Sequence, residues 1–266
     1  MNGRPSLQSN AGFVSLWSAR VVSRFGSTLG YVVLIWYVFA ETGSALAVVY
    51  VGLAEFLPTV AFALFSGVLV DRYRRRTVVM LSTLARSAAM GALVLALYLL
   101  GFNLPIIVLA SAVFAVCATF FGPGSQALLP EIVAREDLDR ANGIFESSES
   151  IVGIVGSALA GILVLTVGAI PSLGVDAAAY LVAALFIASI AGTIAAKGPT
   201  AETEKVLPQV KEGLSYLRRA TGLLELTVVA LGLRWDTARD WMRSLKRNGR
   251  LRGDALKRLR VTLVAG

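Results

Sequence analysis

The sequence has no histidine, a single cysteine and only 16% charged residues in 266 positions. Without histidine, imidazole proton relays and histidine-ligated metal sites are excluded. With Cys117 alone, no internal disulfide can form. No GxxxxGK phosphate loop, nucleophile–base pair or cluster of metal-ligating side chains stands out, so neither an enzyme nor a bound cofactor or metal is expected. The first twelve residues, MNGRPSLQSNAG, hold no apolar stretch, which argues against a cleaved signal peptide. What the chain has in excess is apolar character: 56% hydrophobic residues and a mean hydropathy of +0.71 lie outside the range of soluble domains. It reads as a membrane protein whose first apolar run is its own insertion signal.

The net charge of +8 would, on a soluble protein, point to nucleic acid. Its distribution does not. From Arg234 onward there are ten Lys/Arg against three Asp/Glu, leaving a surplus of only +1 for the preceding 233 residues. The basicity belongs to the tail, and no nucleic-acid partner is expected.

Six apolar runs are long enough to span a bilayer, at 13–40, 45–70, 77–100, 104–128, 143–167 and 171–196. Three breaks between them carry turn chemistry: ETGS at 41–44, GFNLP at 101–105 and GAIPS at 168–172. These alternate with charged breaks, DRYRRR at 71–76, PEIVAREDLDRAN at 130–142 and KGPTAETEK at 197–205, which hold eight Lys/Arg while the turn-rich breaks hold none. The positive-inside rule puts the charged set and the N-terminus in the cytoplasm. The expected organisation is a cytoplasmic N-terminus at 1–12, an all-α six-helix transmembrane bundle at 13–196, a cytoplasmic linker at 197–222, and an incomplete seventh helix with a basic tail at 223–266.

Residues 67–81, GVLVDRYRRRTVVML, pose a question that orientation does not answer. Arg72, Arg74, Arg75 and Arg76 suit a topological anchor, but Asp71 adds nothing to one, and Gly67 predicts a close approach of backbones. The stretch is similar to the loop between helices 2 and 3 of the major facilitator superfamily. There a Gly, three residues, an acid, a basic residue, one residue, a second Gly and two basic residues recur; here the second Gly is Arg74. The resemblance implies a gating motif of Gly67, Asp71, Arg72, Arg75 and Arg76, with Asp71 capping or pairing with a helix of a second half. Residues 120–144, FFGPGSQALLPEIVAREDLDRANGI, resemble the end of helix 4 and the next loop in the siderophore- and macrolide-exporter branch. Read locally, the same loop has Pro130 as a breaker and Asn142 as N-cap of the fifth helix. Drug/proton antiporters of the superfamily carry Gly-Pro-x-x-Gly-Gly in helix 5, where this chain has Gly156, Ser157, Ala158, Leu159, Ala160 and Gly161. The resemblance covers residues 13–230, the N-terminal half of a twelve-helix transporter.

Charges inside the apolar runs are the sharper functional candidates, because each is costly unless paired or in a wet cavity. Glu55 is ten residues into the second run and Arg86 nine into the third, so both lie ~15 Å deep. They are expected to pair, either as a permanent salt bridge or in gating or proton coupling, with Pro58 loosening the helix beside Glu55. Arg20 and Arg24 share a face of the first helix, and Glu146 and Glu149 a face of the fifth; Arg20 is placed to snorkel to headgroups, Arg24 less so. Relatives commonly carry an acid just after the Gly of helix 1, where this chain has Ser27 after Gly26, which shifts the expected coupling acid to Glu55, Glu146 or Glu149. Asp176 reads as an interfacial residue. Gly153, Ser157 and Gly161, with Gly156 nearby, form a small-residue stripe for static helix packing or for a rocking interface. Tyr31, Trp36, Tyr37 and Phe39 suit an outer-leaflet aromatic belt and packing, with lining of a drug-sized pocket as the lesser alternative.

From Leu223 to Leu233 the apolar run is too short to span, and the basic tail that follows matches no family segment. The tail reads either as a helix on anionic lipid or as sequence out of the family's frame. The expected function is secondary active export of a drug- or siderophore-like small molecule by alternating access, with protons as coupling ion and a second half-transporter or homodimer completing the path. The alternatives are a transport-incompetent half-transporter or membrane interaction module, and a permease subunit of another transporter class.

Overall fold

The structure, a computed structural model, describes residues 7–190, apart from the side chains of Gln8, Leu64, Val68 and Asp71. The end of the sixth apolar run, the linker and the partial seventh helix with its tail lie outside the described residues. Six α-helices follow one another: α1 (Ala11–Thr42), α2 (Ala45–Arg72), α3 (Arg75–Leu100), α4 (Leu104–Ile132), α5 (Leu138–Val167) and α6 (Ala169–Ser189). Among the described residues all six are long and apolar enough to cross a membrane. The chain is an all-α, multi-pass membrane protein.

The breaks fall where local chemistry places them. Asn10, Ser44 and Asn103 cap α1, α2 and α4 by accepting hydrogen bonds from Phe13, Ala47 and Ile106 backbone N–H groups. Gly43 closes α1 at φ +61°, in the left-handed region that suits glycine. Two local expectations fail. Pro130 lies inside α4, which runs on to Ile132, and α5 starts at Leu138 directly from a 3-10 turn at Arg135–Asp137. Asn142 is therefore an interior residue of α5 and not its cap, with a buried, unpartnered Oδ1.

α1 packs on α5 and α6, α4 packs on α2 and α3, and α3 meets α6. Exchanging the first three helices for the last three leaves this set of neighbours unchanged. Because α1 starts at the end of the bundle bearing the charged breaks and α4 at the end bearing the turns, the two triplets run in opposite senses, as an inverted repeat. Buried apolar side chains form a large cluster toward the turn end, around Leu29, Val33, Leu93, Ile107 and Leu173, and a second at the charged end around Phe13, Leu16, Leu128 and Phe145. Buried Arg20, Ser23, Arg86, Ser125 and Asp176 add polar groups to this interior. The outside is apolar: Phe56, Leu57, Leu99, Ile154 and Leu165 are all exposed, as lipid-facing positions require.

Candidate functional site

The buried centre is built around Arg86 of α3, which is 5% exposed. An arginine this deep needs partners, and three neutral oxygens supply them. Its Nη1 donates to Ser23 Oγ at 3.1 Å, and its Nη2 donates to Ser27 Oγ at 3.0 Å and to Tyr180 Oη at 2.7 Å. Tyr180 donates in turn to Ser27 Oγ at 3.0 Å. The guanidinium also lies 4.1 Å from the Tyr180 ring centre and 4.8 Å from that of Phe114, within cation–π range of both. The expected Glu55–Arg86 ion pair does not form. Helix rotation turns Arg86 toward α1 and α6, while Glu55 lies half-buried on α2, which barely touches α3.

Asp176 of α6 is the acid at this centre. It is 1% exposed, and neither carboxylate oxygen has a hydrogen-bond partner. It is not an interfacial residue, because α6 crosses tightly against α1 at that point. A Cβ built on Gly26 would come within 2.6 Å of Asp176 Oδ1, and one on Gly30 would collide with Oδ2. The Gly26-x3-Gly30 spacing thus opens the slot that holds the carboxyl group. That spacing is visible in the sequence, as is an acid within an apolar run, but their meeting requires two helices to be placed together.

A cavity of about 430 Å³ adjoins the centre. Its wall includes Arg24, Ser27 and Tyr31 from α1, Glu55 from α2, Arg86 from α3, Ser111 and Phe114 from α4, and Asp176 from α6. Ser111 is buried and its hydroxyl also lacks a partner. Charges of both signs line an otherwise apolar recess of small-molecule dimensions.

Toward the charged end, Arg20 is 7% exposed and forms a closed set of contacts. Its Nε donates to Glu149 Oε1 at 2.6 Å, its Nη1 donates to Ser125 Oγ at 3.1 Å, and its guanidinium covers the Phe145 ring at 4.6 Å. The expected ranking of the two α1 arginines is reversed: Arg20 is locked between helices, whereas Arg24 is exposed at the cavity and near Gly153. Glu146, unlike Glu149, is exposed.

The Arg-rich break gains a structural role for two of its members. Arg75 donates to the Ala127 carbonyl at 2.8 Å and pairs with Glu131 at 3.2 Å, while Arg76 donates to the Ile187 and Ala188 carbonyls at 3.1 and 2.7 Å. Both cations thus sit at the C-terminal parts of α4 and α6, where helix dipoles favour them. Arg72 places a buried Nη2 without a hydrogen-bond partner, and the Asp71 side chain lies outside the described residues. Gly67 is not a close approach, since a Cβ there would meet nothing within 4 Å. Arg74, standing where the family has glycine, takes an ordinary φ of −57°. On α5 the packed face is Gly156, Ala160 and Val164, whereas Ser157 and Gly161 are exposed and Gly153 half-buried. The stripe Gly153, Ser157 and Gly161 is displaced by one position, ~100° around the helix.

Residues 6–233 match the family model described as "Transmembrane secretion effector". The chain is 32% identical over 227 residues to the multidrug efflux pump Tap of Mycobacterium tuberculosis, covering 81% of this chain and 54% of that one. It is 27% identical over 222 residues to macrolide efflux protein A of Streptococcus pyogenes, covering 82% and 54%. The fold resembles that of a peptide transporter, POT, solved in complex with alafosfalin, with a TM-score of 0.62 at 12% identity over 86% of this chain and 48% of that one. The chain spans about half the length of these relatives. It belongs to the transmembrane secretion effector family of major facilitator transporters.

Proposed function

We propose that the six helices act as the N-terminal half of an exporter of drug-like small molecules, working by alternating access and driven by protons, in the bacterial inner membrane with the charged end in the cytoplasm. The observation that carries this reading is the cavity beside Arg86 and Asp176, where charged groups from four helices converge in an apolar bundle. Tap and macrolide efflux protein A, by their names, extrude drugs and macrolides, which supports the substrate class. The positive-inside rule supports the orientation. A second six-helix half completes the path between halves that alternating access requires.

The test is accumulation of a labelled macrolide in cells expressing the chain, alone and with the C-terminal half of a Tap-like relative, each with and without a protonophore. Lower accumulation that needs the second half and is lost with the protonophore supports the reading. Efflux indifferent to the protonophore overturns proton coupling. Stable insertion with no efflux in either combination overturns transport in favour of a membrane interaction role.

A further inference from the structure

The buried centre holds an unbalanced pair. Arg86 has committed both Nη groups to neutral hydroxyls, yet its Nε is buried without a partner. Asp176, which lines the same cavity as Arg86, leaves both oxygens without a donor. A buried carboxylate lacking hydrogen bonds is costly, and so is a buried N–H left unsatisfied. The two unmet groups are complementary and are not joined. Such an arrangement suits a carboxyl whose charge changes: with a proton it needs no cation, and without one it draws the guanidinium toward itself.

We propose that Asp176 is an exchangeable-proton site and that Arg86 reads its charge. Loss of the proton pulls Arg86 from Tyr180 and Ser27 toward Asp176, and gain of the proton returns it. The bonds that change join α3 to α1 and to α6, so a single proton alters how three helices are tied together. The groups facing Asp176 fit this role. α1 contributes Gly26 and Gly30, which make room for the carboxyl, with Arg24 and Tyr31 farther along the cavity. α2 contributes Glu55, which lines the same cavity. α3 contributes Arg86, α4 contributes Ser111 and Phe114 on the same cavity wall, and Tyr180 stands one turn along α6. The cavity gives a proton a route to the carboxyl's neighbourhood. The proposal deepens the proton-driven reading above and rests on it only for the use to which the proton is put.

The experiment is pH-difference infrared spectroscopy on the full chain in lipid nanodiscs, which reads protonation without any transport. Wild type should show a titrating carboxyl band and a coupled tyrosine change. Asp176→Asn should reduce the carboxyl band to background, while Glu55→Gln should retain it. Tyr180→Phe should keep the carboxyl titration and lose the tyrosine component. If Asp176→Asn does not insert stably, Asp176→Glu replaces it and should move the band to a different frequency. A carboxyl band untouched by the substitutions at Asp176, or one abolished by Glu55→Gln, overturns the proposal. An Asp176 band with no macrolide efflux would instead leave the site standing and defeat proton-driven export.

Discussion

Among the described residues two arginines are buried, and the bundle treats them differently. Arg20 meets an acid: Glu149 takes its charge, Ser125 takes a further N–H, and Phe145 covers its face. Arg86 meets only neutral hydroxyls and aromatic rings, although Asp176 lies beside it with both oxygens unmet. The first is a finished contact that fixes α1 against α4 and α5. The second keeps a cation and an acid together without joining them, which is how a site retains two arrangements of similar energy. A buried charge by itself therefore says little about function; what matters is whether its nearest opposite charge is used.

The comparison can be broken by removing each arginine. Arg86→Ala removes the hydrogen bonds that Arg86 donates to three hydroxyls and opens a hole under two aromatic rings, so the largest loss, about 3–5 kcal/mol, is expected in detergent unfolding. Arg20→Met should cost less, about 2–3 kcal/mol, because Glu149 retains some exposure to solvent. The double variant Arg20→Met with Glu149→Leu should recover much of that loss, as a closed pair replaced by apolar groups does. Failure to recover would show that Arg20 does more than hold Glu149.

Steric contrasts sharpen the same point at smaller scale. A Cβ on Gly124 of α4 would come within 2.6 Å of Val79 on α3, whereas Gly161 on α5 has nothing within 4 Å. Gly124→Ala should cost about 1–3 kcal/mol through overpacking. Gly161→Ala should be neutral or stabilising by up to about 1 kcal/mol, because helix propensity is then the only term. The smallest effect is expected at the acid itself: Asp176→Asn removes no hydrogen bond of the folded state, so its unfolding midpoint should correspond to wild type within about 1 kcal/mol. A large destabilisation there would mean that Asp176 is a structural partner of Arg86 in the resting fold.

The six spans were legible in the sequence because length and apolarity are properties of one segment at a time. So were the turn-rich breaks at 41–44 and 101–105, within which the structure shows Ser44 and Asn103 as caps. Asn142 misled because a capping residue is recognised by its neighbours in sequence, and the 3-10 turn at Arg135–Asp137 offered an earlier start to α5. The α5 stripe misled for a different reason. Gly153, Ser157 and Gly161 share one face as clearly as Gly156, Ala160 and Val164 do, and periodicity does not say which face meets α1.

What the sequence determined by itself was the class of molecule, the number of spans, the alternation of charged and turn-rich breaks, and the presence of Arg20, Glu55, Arg86 and Asp176 inside apolar runs. These follow from transfer of each segment between water and lipid, which depends on local composition. Which charge meets which was decided only by the tertiary structure. Arg86 turned to Tyr180 and Ser27 instead of Glu55, Arg20 found Glu149, and Asp176 entered the slot between Gly26 and Gly30. A rotation of one residue moves a side chain ~100° around its helix, so partner choice depends on how helices are turned and how closely they cross.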